Sequence, residues 1–67
     1  MTKVEPGQLR RWDSDSEVVV HRDMLFTVLC VNRGLTSPAW YYLINGERDW
    51  HFEKIIEEQS EVISEAR

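Results

Sequence analysis

Apolar residues along this chain fall in short runs separated by polar punctuation, a pattern of strands and turns more than of helices. Pro6-Gly7 marks a turn, and Gln8-Leu9-Arg10-Arg11-Trp12 follows as a short strand. Residues 13–17, Asp-Ser-Asp-Ser-Glu, read as a polar, acidic loop. Val18-Val19-Val20-His21 is β-branched and is predicted to be extended. Residues 25–32 hold the strongest strand, Leu-Phe-Thr-Val-Leu-Cys-Val-Asn, and residues 33–38 form a turn-rich connection. The runs 39–44 and 47–52 flank Asn45-Gly46, which predicts a two-residue hairpin loop of type I′.

The last segment, residues 53–67, admits two readings. Ile55/Ile56 and Val62/Ile63 could share one helical stripe, but Gln59 and Ser60 interrupt it. The break favours a short helical turn over Glu53–Gln59 and a final strand around residues 61–64.

A two-residue loop pairs Tyr41 with Trp50 and Trp40 with His51, and that register fixes two faces. One face carries Ala39, Tyr41, Leu43, Trp50 and Phe52 and is predicted to be core, with Trp50 buried. The other carries Trp40, Tyr42, Ile44, Glu47, Asp49 and His51, a mixture suited to binding. The strand around residues 25–31 is apolar on both faces, with Phe26, Val28 and Cys30 on one and Leu25, Leu29 and Val31 on the other. A closed barrel or a second copy of the chain would use both.

The 67 residues allow a single domain, residues 1–67, with a small core. Cys30 is the one cysteine, so no disulfide forms within the chain, and inside an apolar run it reads as a small core residue in a reducing compartment. Cys30, His21 and His51 are not spaced as zinc ligands. With no staple to add stability, self-association into at least a dimer is expected. The N-terminal residues have no apolar stretch of the secretory kind and no run is long enough for a membrane span, so a cytoplasmic protein is expected. The formal net charge of −4 argues against nucleic-acid binding, although Arg10, Arg11, Arg22 and Arg33 could form a local patch.

Three stretches carry a resemblance. Pro6-Gly7-Gln8-Leu9-Arg10-Arg11-Trp12, Trp40-Tyr41-Tyr42-Leu43-Ile44-Asn45-Gly46, and Trp50-His51-Phe52-Glu53 followed by Glu61-Val62-Ile63-Ser64-Glu65-Ala66 resemble the opening strand, central hairpin and closing strand of small SH3-like barrel proteins of tailed bacteriophages. Together they cover under half of the chain, and Gln8 stands where that family usually has an acid. The resemblance implies an all-β fold, a five-stranded SH3-like barrel with a short helical turn near the C-terminus, in the cytoplasm of a bacterial host. It implies no activity.

Asp13-x-Asp15-x-Glu17 begins like a calcium loop, but Val18 and Met24 occupy the places where such a loop needs glycine and glutamate. The loop reads instead as a solvated surface or as a contact for a basic partner. Proline-peptide binding beside Trp40 lacks the tyrosine-rich opening motif of peptide-binding SH3 domains. Asp49 and His51 share a strand face, yet no nucleophile, oxyanion hole or metal set accompanies them, and His51 is expected to pack beside Trp40. The three glycines are isolated and make no phosphate loop. The candidate binding set is therefore Trp40, Tyr42, Ile44, Asp49 and His51, with Trp12, Asp13 and Asp15 at the acidic loop and Arg10 and Arg11 as cations. No cofactor, metal or catalysis is expected. The leading expectation is an accessory protein that docks on a host protein and inhibits or redirects it. A second is an oligomer that sequesters a nucleotide-like ligand by ring stacking and arginine clamps.

Overall fold

Pro6 and Gly7 open the fold by forming a turn in which the Gln8 N–H donates to the Glu5 carbonyl at 3.2 Å. Gly7 lies at φ 88°, the left-handed conformation required at the third position of a type II turn, after a proline that presets the second. The computed structural model describes residues 3–65, so the expectations for Ala66 and Arg67 in the closing segment lie outside the described residues. The turn leads into β1 (Leu9–Trp12), followed by β2 (Leu25–Val31), β3 (Pro38–Leu43), β4 (Arg48–Phe52), the helix α1 (Glu53–Gln59) and β5 (Ser60–Ser64). The five strands form one antiparallel sheet in the order β4-β3-β2-β1-β5. β4 and β5 are its two edges, so the sheet is not closed by hydrogen bonds, and α1 runs between them.

The short helix and final strand are present, but three sequence expectations need correction. First, Val18-Val19-Val20-His21 is a series of bends and not a strand. The Ser16 hydroxyl accepts the N–H groups of Val18 and Val19, at 3.3 and 3.2 Å, and so takes backbone donors that a ladder would need. Val19 is buried while Val18 and Val20 face solvent.

Second, β2 contains a bulge between Val28 and Cys30. The extra residue reverses the alternation, so that Phe26, Val28 and Val31 turn inward while Cys30 sits opposite Trp40 on the outer face. Cys30 is therefore exposed and not a core residue. The bulge also shows how one small sheet uses a strand that is apolar on both faces.

Third, the hairpin loop has three residues, not two. The Leu43 N–H donates to the Glu47 carbonyl at 2.8 Å and the Gly46 N–H to the Leu43 carbonyl at 2.9 Å, enclosing Ile44-Asn45-Gly46. Only Gly46 takes a positive φ, 91°, as expected of a turn that ends in a glycine bulge. The register is Trp40↔Trp50, Tyr41↔Asp49 and Ala39↔His51, one residue away from the two-residue pairing. A slip of one residue exchanges every side chain of β4 between faces. Trp50 and Phe52 consequently lie on the outer face, and Asp49 and His51 turn inward.

The core packs on the inner face. Trp12 stacks on Phe26 at 4.4 Å, and Tyr41 contacts both rings at 5.5 and 4.9 Å. Val4, Val19, Val28, Ala39, Leu43 and the helix residue Ile56 complete the cluster.

Beside this core Arg10 is only 1% exposed. Its Nε donates to the Ser60 hydroxyl at 2.8 Å, its Nη1 to Gln8 Oε1 at 3.0 Å, and its Nη2 to the carbonyls of Ile56 and Ser60, each at 3.4 Å. Gln8 in turn donates to Glu65 at 3.2 Å and to the Lys3 carbonyl at 2.8 Å. One buried cation thus ties β1 to the end of α1 and to β5.

Candidate functional site

Because β3 and β4 alternate in phase, the outward side chains of both strands form one surface. Trp40 and Tyr42 point outward from β3, and Arg48, Trp50 and Phe52 from β4. Trp40 and Trp50 are directly opposite one another, with ring centroids 6.0 Å apart, and Phe52 meets the Trp50 ring edge-on at 5.3 Å. These rings are far from buried: Trp50 is 42% exposed and Trp40 38%.

The strip continues past each end. Beyond Phe52 lies an open groove of about 630 Å³ between residues 35–37 and the helix, where Leu35 and Ile55 supply apolar walls and Glu53, Glu57 and Glu58 carboxylates. At the other end, Leu29, Cys30, Trp40 and Arg48 surround a smaller depression of about 340 Å³. Glu58 also borders a depression formed with Asp13, Asp15 and Glu17, so acidic groups run from the groove round the helix to the β1–β2 loop. Of the acids in the groove, Glu53 is paired with Arg33 at 3.1 Å.

The structure divides the candidate binding set. Trp40 and Tyr42 are on the outer face, and Ile44 is exposed in the hairpin loop. Asp15 is exposed and Asp13 half-buried on the acidic side. Asp49 and His51 are on the inner face, so they do not join Trp40. His51 packs edge-on to Trp12 at 5.8 Å, and not beside Trp40. Asp49 accepts the N–H of Trp50 at 2.8 Å and lies 3.5 Å from His21 Nε2. Trp12 is fully buried and Arg10 nearly so, which removes both from any contact surface. Sequence reasoning missed Trp50 and Phe52, the two rings that complete the strip.

The four arginines do not converge on a phosphate. Arg10 is in the core, Arg11 is paired with Glu61, Arg22 Nε donates to the Ser16 carbonyl at 2.5 Å, and Arg33 holds Glu53 and the Val4 carbonyl. Burial lowers the pKa of Arg10 from the ordinary guanidinium value, while the charges of Glu57, Glu65 and Asp13 act in the opposite direction. Burial also raises the pKa of the Tyr41 phenol far above the ordinary tyrosine value, with a smaller contribution from Asp49. Among the described residues, the Tyr41 hydroxyl and Trp12 Nε1 find no hydrogen-bond partner. Among the described residues, no three His, Cys, Asp or Glu side chains are grouped to hold a metal, and no helix is long and apolar enough to cross a membrane.

No protein-family model, curated protein or solved structure gives a significant match to this chain.

Proposed function

We propose that this protein is a non-catalytic binding module that docks on another protein through the outer face of β3 and β4. The observation that carries this reading is the strip Trp40–Trp50–Phe52, flanked by Tyr42, left in solvent by a chain with little apolar surface to spare. Contiguous exposed apolar patches mark interaction surfaces, and tryptophan and tyrosine are the residues that most often dominate interface energy. We further propose that the fold is an SH3-like barrel of the tailed-phage kind and that the partner is a protein of the bacterial host. The strand order, with β1 between β2 and β5 and a short helix joining the fourth and fifth strands, supports the barrel reading. The resemblance of the three stretches supports the setting. A nucleotide-binding reading draws less support, because the arginines that would clamp phosphate are spread out and engaged within the fold.

The test is comparative capture from bacterial lysate. Wild type and Trp40→Ala, both confirmed as folded by circular dichroism, are immobilised and their retained proteins identified. A protein held by wild type and lost from Trp40→Ala is the expected result. Capture profiles that do not differ would remove the outer face from the account.

A further inference from the structure

We infer that the groove at the Phe52 end of the strip receives a basic segment of the partner protein, one in which lysine or arginine alternates with an apolar anchor. The inference rests on the docking reading above and names the chemistry of what docks.

Two observations meet at this groove. Its floor and one wall are apolar: Phe52 comes from the end of β4, Ile55 from the first turns of α1, and Leu35 stands wholly exposed at the rim. A side chain entering between them would cover Leu35 and Phe52, which the fold leaves in water.

The other wall is acidic and only partly neutralised. Glu53 has Arg33 as its partner, and Lys54 also lines the groove. Glu57 and Glu58 make no ion pair among the described residues, nor do Asp13, Asp15 and Glu17, which continue the acidic side beyond Glu58. Lys54 offsets one of these five charges, and Arg22 stands at the acidic loop on the Ser16 carbonyl. The buried Arg10 acts on Glu57 and Asp13 from beneath the surface with its hydrogen bonds directed inward, so the acids remain in excess. The exposed surface therefore favours cations beside an apolar slot. Such complementarity steers association and selects against acidic partners. A second copy of this chain fits less well, since the net charge of −4 would be opposed to itself.

The experiment uses the whole chain and three short fluorescein-labelled peptides followed by fluorescence anisotropy: lysine alternating with leucine, lysine alternating with serine, and glutamate alternating with leucine. The lysine–leucine peptide is expected to bind, with affinity falling as salt rises, and the other two to bind at least about tenfold more weakly. Leu35→Ser alters a side chain that supports nothing in the fold and is expected to weaken the lysine–leucine peptide about tenfold. The double variant Glu57→Gln/Glu58→Gln is expected to weaken it by about threefold to tenfold and to flatten the salt dependence.

Equal binding of the glutamate peptide, or lysine–leucine binding unchanged in both variants, overturns the inference. Light scattering that shows a dimer dispersed by Leu35→Ser, with no peptide bound, overturns it in favour of a second copy. The docking reading fails separately. If lysate capture is lost in Trp40→Ala but kept in both groove variants, the outer face stands and the groove inference falls. If peptide binding follows the groove variants while capture is indifferent to Trp40→Ala, the groove stands and the outer-face reading falls.

Discussion

This molecule buries an arginine and exposes two tryptophans, and the contrast between the β1–α1–β5 corner and the β3–β4 face separates what holds the fold from what it offers to a partner. At the corner, Arg10 is removed from water, and its donors meet the Ser60 hydroxyl, Gln8 and two helix-end carbonyls. A buried polar group satisfied in this way specifies an arrangement, because any other packing would leave it unpaired. On the β3–β4 face, Trp50 meets Trp40 on one side and Phe52 on the other, while water reaches all three. The inner core has the opposite character, with Trp12 fully enclosed by Phe26, Tyr41 and His51. The three tryptophans therefore serve different ends, and the difference can be tested one residue at a time.

The largest effect is expected at Trp12. Trp12→Ala opens the centre of the core and should cost about 3–5 kcal/mol, which is comparable to the whole stability of a domain this small. A circular dichroism melt should show an unfolded or barely folded chain. A cooperative melt near that of wild type would mean that the inner and outer faces are wrongly assigned.

Next in size is the polar corner. Ser60→Ala removes the acceptor of Arg10 Nε and leaves a buried charged donor short of a partner. Hydrogen bonds to charged groups contribute about 1.5–3 kcal/mol, and a loss of that order should appear as a lower urea midpoint with an unchanged slope. A midpoint equal to wild type would show that water replaces the hydroxyl and that the corner is not closed.

The elements of the fold were legible from the chain because each run is bounded by strong punctuation, Pro6-Gly7 before β1 and Asn45-Gly46 between β3 and β4. The register was not. Asn-Gly serves a two-residue loop, but a glycine in the left-handed region also completes a three-residue loop, and the two differ by one residue of pairing. The apolar count favoured burying Trp50 and Phe52 with Tyr41. The fold instead places His51 against Trp12 and Asp49 beside His21, contacts that no local pattern announces. Half of the candidate face, Trp40 and Tyr42, was therefore visible in the sequence, while Trp50 and Phe52 were hidden by a choice of loop. The bulge at Leu29 depends in the same way on pairing with β3, whereas the Ser16 contacts that undo the valine run are local, two and three residues along the chain.

A smaller effect concerns alkaline pH and the unpaired Tyr41 hydroxyl. Its pKa in the folded chain is raised above the ordinary 10.0, by burial and then by Asp49. Below that ordinary value both folded and unfolded chains hold the proton, so stability is fully present. Above it the unfolded chain releases the proton while the folded chain keeps it, and stability falls by up to about 1.4 kcal/mol per pH unit from this group. Tyr41→Phe removes both the titration and a buried hydroxyl without a partner. Melting temperatures between about pH 8 and 11 should fall less steeply for Tyr41→Phe than for wild type. Parallel curves would show that the phenol is not the buried group described.

The smallest stability effect is expected where the sequence pattern alone suggested one of the largest. Trp50→Ala deletes a large ring, but that ring is 42% exposed and lies outside the core. What it loses within the molecule is contact with Trp40 and Phe52, and exposed aromatic contacts of this kind are worth at most about 1 kcal/mol. Its effect on binding should run the other way: a central aromatic anchor typically carries about 2 kcal/mol or more, roughly thirtyfold in affinity. The two measurements are urea unfolding of Trp50→Ala and its retention of whatever wild type captures from lysate. Near-normal unfolding with lost capture is the outcome that the face assignment requires. If the variant instead unfolds as Trp12→Ala does, Trp50 belongs to the core, β4 is turned over, and Asp49 and His51 return to the outer face beside Trp40. If it unfolds normally and captures normally, the register stands but the exposed rings have no partner there.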